Sequence, residues 1–188
     1  MFLPSSLRGR RRSLPSSAAD DVVLQLCVSK RRSLVGDPVN VRFEIWNRSG
    51  HDLYLCRSFS VNGNAPCNVE IRIQDKNGKG SIWQTAGEPA VRGFPQEVSE
   101  ALSKWFVVLP SSYSYGSNVN IDDAMSPSIK TPGRYKITAT YTSQRLRDSL
   151  AWFNPAFANS EEAAKLSDQQ WHGEVEAVPL WIEITDRR

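Results

Sequence analysis

The sequence predicts an all-β chain: an antiparallel β-sandwich of immunoglobulin-like type, with seven to nine short strands and one short helix in a late insertion. Three observations carry this. Thr131 to Ser143, TPGRYKITATYTS, sets Tyr135, Ile137, Ala139 and Tyr141 on one side of a period-two pattern and Lys136, Thr138 and Thr140 on the other. Turn signals recur between further runs of this kind. The strand, helix, strand alternation of a parallel sheet is missing from the sequence. With 188 residues, 40% of them hydrophobic and 23% charged, the chain can bury one core, assigned to residues 21–188, beside a tail at residues 1–20.

The first twenty residues, MFLPSSLRGRRRSLPSSAAD, are rich in Arg, Ser and Pro and hold no apolar stretch of signal-peptide length. Three readings stay open: a disordered basic tail, the remnant of an export or organelle signal, or a stretch translated from a misplaced start codon. Arg8, Arg10, Arg11 and Arg12 precede the first acid, so the +3 net charge leaves the body near neutral. That balance argues against nucleic acid as the partner of the body. No run of about eighteen apolar residues occurs, so no membrane-spanning helix is expected.

Val22 to Val28 alternates as an opening strand, and the charged run KRRS is expected to be a solvated turn. Gly36-Asp37-Pro38 then starts a second strand, Val39 to Asn47, with Val39, Val41, Phe43 and Ile45 inward and Trp46 interrupting the polar side. After the turn Asn47-Arg48-Ser49-Gly50, the strand Leu53 to Cys56 is paired most simply with the second strand as a hairpin. The triplet NRS also fits an N-glycosylation sequon, with the turn reading favoured. Asn68 to Gln74 and Ser81 to Trp83 flank DKNGKG, which has the look of a calcium loop but lacks the distal Glu and the length of one. Asn77-Gly78 fits the positive φ angles of a tight hairpin instead.

Residues 84–102 form a long connection ending in a helical turn, Gln96 to Leu102. Trp105 to Leu109 and Tyr113 to Asp122 are the next strands. A second long connection, Gln144 to Gln170, holds a helix capped by Ser160, with Glu161 and Glu162 in its first turn. The last strand, Glu174 to Thr185, points Leu180, Ile182 and Ile184 inward, and Pro179 requires an edge or a bulge there.

Candidate sites are few. Cys27, Cys56 and Cys67 show no zinc spacing. A disulfide between Cys56 and Cys67 would close the loop between them in an oxidising compartment; buried or free thiols are the alternative. His51 and His172 lie in no catalytic signature, so the sequence assigns no catalytic residue, no metal ligand and no cofactor, and does not indicate a small-molecule ligand. The binding candidates are Arg145, Arg147, Trp152, Phe153 and Phe157, because Trp and Arg dominate binding hot spots and the loops at a sandwich end are where such modules bind. The bland alternative is that these aromatics fold back over the end of the sandwich.

The segments GDPVNVRFEIWNRSGHDLYL, VEIRIQDKNGKGSIW and PGRYKITATY resemble the bacterial immunoglobulin-like domains grouped with the intracellular proteinase inhibitor family, over residues 22–143. The closing WHGEVEAVPLWIEI is similar to the last strand of related exported bacterial domains, which implies export, with a cytoplasmic location as the alternative. Where such domains commonly have Pro-Gly-Glu before the penultimate hairpin, this chain has Pro110-Ser111-Ser112, and its 144–170 connection is longer. No reactive-site residue carries over. The expected function is a noncatalytic module that binds another protein, with proteinase inhibitor as the alternative and an enzyme less favoured.

Overall fold

The computed structural model describes residues 21–56, 67–84, 106–121, 129, 131–143 and 161–186. Among the described residues the fold is all-β apart from one helix. The elements in chain order are β1 (Val22–Val28), β2 (Arg32–Leu34), β3 (Val39–Asn47), β4 (Leu53–Cys56), β5 (Cys67–Gln74) and β6 (Gly80–Gln84). They continue with β7 (Phe106–Leu109), β8 (Ser114–Ile121), β9 (Gly133–Ser143), α1 (Glu161–Gln169), β10 (Gly173–Glu176) and β11 (Leu180–Thr185).

Among the described residues three sheets result. One runs β1-β3-β8, the largest runs β2-β11-β9-β5-β6 with β10 also paired to β9, and β4 pairs with β7 alone. The alternation that the sequence predicts is realised in β3, β5 and β9: Phe43, Ile45, Ile71, Tyr135, Ile137 and Tyr141 are all buried, while their neighbours face outward. Buried side chains of all three sheets join in one hydrophobic cluster. At period two, the apolar row of each of these strands fixes which of its residues face the core.

Three expectations need correction. Arg32 to Leu34 is not a solvated turn but a strand, pairing parallel with β11 at Glu183 to Thr185. Its one charged residue, Arg32, is accommodated because β2 ends the sheet order, where solvent reaches one side. Leu53 to Cys56 does not form a hairpin with β3; it pairs with β7, because β3 is already flanked by β1 and β8. The last strand is two, β10 and β11, which brings the number among the described residues to eleven rather than seven to nine.

The break between β10 and β11 has a simple cause. Val175 and Ala177 face inward before it and Ile182 and Ile184 after it, so the apolar parity switches from odd to even. Glu176 stands opposite Thr140 and Leu180 opposite Ile137, so Ala177, Val178 and Pro179 face only Thr138 and Ala139. One extra residue restores both apolar sets to the core face, and the bulge accommodates the missing N–H of Pro179.

The turns follow the side chains that the sequence supplies. In the β5–β6 hairpin Asp75 Oδ1 accepts the N–H groups of Asn77 (2.8 Å) and Lys79 (2.9 Å), and Gly78 N–H meets Asp75 O at 3.0 Å. Gly78 alone takes a positive φ, 78°, and Asn77 does not, so this is a type I turn followed by a left-handed glycine rather than a turn with two positive φ angles. The carboxylate is thus committed to the backbone. In the turn Pro110 to Tyr113, Ser112 takes φ 69°, in the position where a type II turn prefers glycine. Ser112→Gly should therefore raise stability by about 0.5–1 kcal/mol, measured by urea denaturation, since the left-handed strain exceeds glycine's entropic cost.

Asn47 fastens the crossing from the β1-β3-β8 sheet to the β4-β7 sheet. It is fully buried, and its Nδ2 donates to His51 O (2.9 Å) and Leu109 O (2.8 Å). Its Oδ1 accepts Ser49 N–H (2.9 Å) and Ser49 Oγ–H (2.6 Å). An asparagine with both amide hydrogens engaged and no exposed surface does not accept a glycan in the folded state, so the NRS triplet is a turn.

Candidate functional site

The outward side of the largest sheet carries the most distinctive surface. Because β9 and β11 are antiparallel, Lys136 lies opposite Trp181 and Arg134 opposite Glu183, while the parallel pairing of β2 brings Arg32 to the other side of Glu183. Inward Tyr135, Ile182 and Ile184 fix this arrangement, since their burial dictates that the intervening residues point to water.

Trp181 is 40% exposed, and the Arg134 guanidinium lies over its ring, 4.5 Å from the centroid. Arg32 Nε donates to Glu183 Oε2 at 2.8 Å. Together with Arg31 and Asp186, these side chains line an open groove of about 770 Å³. Counting Lys136 at its margin, four cations face two carboxylates. Among the described residues Arg31, Arg134 and Lys136 form no ion pair, and the Arg32–Glu183 pair is solvent-exposed, so the excess positive charge is available to a ligand.

A second groove, of about 490 Å³, opens between the start of β4 and the segment after α1. It gathers His51 and His172, the two histidines of the chain, with Asp21, Asp52 and Asp168. Trp171 N–H donates to Tyr54 O at 3.1 Å, and Ser143 Oγ–H donates to Trp171 O at 3.1 Å, which anchors its floor. Among the described residues no Ser, Cys or Lys lines it, and no group of three His, Cys, Asp or Glu could hold a metal ion. The described lining thus offers imidazole and carboxylate groups but no hydroxyl, thiol or amine side chain.

The loop candidates Arg145, Arg147, Trp152, Phe153 and Phe157 lie outside the described residues, as do the amino-terminal tail and the turn Gln96 to Leu102. Cys56 ends β4 and Cys67 begins β5, but their side chains lie outside what the structure describes; Cys27 is an exposed free thiol. Sequence reasoning missed the groove around Trp181 because its members come from three distant stretches. A usable signal existed: Trp181 stands at the outward parity between Leu180 and Ile182, where a polar residue is the norm.

No protein-family model and no curated protein matches the chain. Among solved structures, the alkylpurine DNA glycosylase of Pseudomonas fluorescens, bound to DNA containing an abasic site analog, is similar over 88% of this chain at 10% identity and a TM-score of 0.40. This chain spans about 30% of that glycosylase. A CARDB domain from Pyrococcus furiosus in complex with di-metal ions is similar over 88% of both chains at 11% identity and a TM-score of 0.38. A β-glucosidase of Listeria innocua in complex with glucose is similar over 87% of this chain and 16% of its own, at 10% identity and a TM-score of 0.37. None of the three is a proteinase inhibitor, and at such TM-scores these likenesses carry no argument about what this chain does.

Proposed function

We propose that the chain is a noncatalytic protein-interaction module, built as a β-sandwich of immunoglobulin-like type, that binds its partner on the outer face of the largest sheet. One observation carries the reading: Trp181 is held exposed under Arg134 in an open groove on the outer face of the largest sheet, which also exposes Leu34 and Ile82. A large aromatic left in water forgoes burial energy on the order of 2 kcal/mol, which a partner recovers on docking. Trp and Arg are also the residue types that dominate binding hot spots. The sandwich supports the role mechanically, because strands locked by an inward apolar row hold the outward row rigid.

The test is affinity capture on immobilised full-length protein, comparing wild type with Trp181→Ala and Arg134→Ala. The expected result is that the principal captured protein is lost or reduced about tenfold in both variants, by the cost of removing a hot-spot side chain, while their melting temperatures stay near wild type. Capture that is unaffected by either substitution would sink the reading. A protease panel run alongside should show no inhibition; inhibition that Trp181→Ala abolishes would instead favour an inhibitor working through the same face.

A further inference from the structure

We infer that the Trp181 groove takes an extended acidic segment of the partner protein, a conclusion that rests on the interaction reading above. Arg134, Glu183 and Arg32 lie in one row across β9, β11 and β2. At a strand spacing of about 4.8 Å, the two arginines flanking Glu183 stand roughly 10 Å apart. Carboxylates two residues apart on an extended peptide project from one face about 7 Å apart, and long arginine side chains span the remaining difference, so such a pair can reach both guanidinium groups. Arg134 is already ordered by stacking on Trp181, which leaves its N–H edge oriented for a bidentate contact at small entropic cost. The Arg32–Glu183 pair is exposed on both sides, so an incoming carboxylate competes with it readily. Lys136, opposite Trp181, extends the positive field to the place where an apolar side chain of the same segment would rest on the indole.

Other occupants fit less well. The amino-terminal segment of this chain carries Arg8, Arg10, Arg11 and Arg12, the same sign as the groove. A single-stranded nucleic acid would want successive aromatic platforms and an uninterrupted positive track. The groove has one tryptophan and places Glu183 and Asp186 in the path of the phosphates.

The experiment measures fluorescence anisotropy of labelled decapeptides on the full-length protein. One peptide alternates Glu with Leu and Ser, and its counterpart replaces each Glu with Gln. The acidic peptide should bind about tenfold or more tightly than the amide peptide and weaken as salt rises. The double charge reversal Arg134→Glu with Lys136→Glu should abolish this preference without lowering the melting temperature, since neither side chain is in the core. Equal binding of the two peptides, lost in Trp181→Ala, overturns the acidic specificity and leaves the interaction reading intact. Binding of neither peptide overturns the inference, and the capture experiment then decides the interaction reading separately. Displacement of the acidic peptide by a much lower concentration of oligothymidylate overturns it in favour of nucleic acid.

Discussion

Asn47→Asp should be among the most destabilising single-atom exchanges in this chain, costing about 3–5 kcal/mol at neutral pH. The side chain is fully buried, and its Nδ2 donates to the carbonyls of His51 and Leu109. An aspartate would turn an oxygen towards those two carbonyl oxygens and strand a negative charge away from water. Burial and the facing carbonyls both disfavour the charged form, so the new carboxyl would titrate above its unfolded value in the folded state. The sign of the pH dependence follows. The variant keeps its stability below the unfolded pKa of about 4 and loses it progressively as pH rises through the elevated folded value. Urea denaturation at acid and neutral pH, against wild type, checks both parts. Equal loss at the two pH values would mean that the turn opens to water and leaves the charge solvated. Asn47→Ala, which removes the donors without adding a charge, should cost less, about 2–4 kcal/mol, and show no such pH dependence.

Trp171→Ala should cost about 3–5 kcal/mol, the range for truncating a buried aromatic side chain. Trp171 is 4% exposed and stacks on Tyr141 with ring centroids 5.3 Å apart and planes inclined by 15°. Its backbone meanwhile connects β4 to β9 through Tyr54 O and Ser143 Oγ. Trp171→Phe keeps part of the stack and should lose less than half as much. Chemical denaturation followed by far-ultraviolet circular dichroism is the appropriate measurement, because tryptophan fluorescence would itself change. A cost below about 1 kcal/mol would show that the segment after α1 does not contribute to the cooperative unit.

The strands whose apolar residues alternate without interruption were legible from the sequence: β1, β3, β5 and β9 lie within two residues of their expected bounds. Alternation encodes which face is buried, and burial is what decides register. It says nothing about which strand lies alongside, so the partner of Leu53 to Cys56 was misread. β2 was hidden for another reason: Arg32, Ser33 and Leu34 carry no apolar row, and their pairing with β11 is a contact between the two ends of the described chain. The NRS turn and the DKNGKG hairpin were legible because Asn and Asp side chains impose their geometry locally. The Trp181 groove required three stretches to be brought together by topology, which no local pattern records. Arg134 and Lys136 were visible only as the polar positions of a good strand.

The bulge between β10 and β11 separates two properties that usually travel together in a protein position: being present and being of a particular kind. Val178 is 82% exposed, so its side chain is free to change. The residue itself is a spacer that converts an odd count into an even one, and its loss would rotate either Val175 and Ala177 or Ile182 and Ile184 towards water. In homologous sequences this site should therefore tolerate almost any amino acid but no gap, and a deletion there should occur only together with a compensating insertion elsewhere between Glu176 and Leu180.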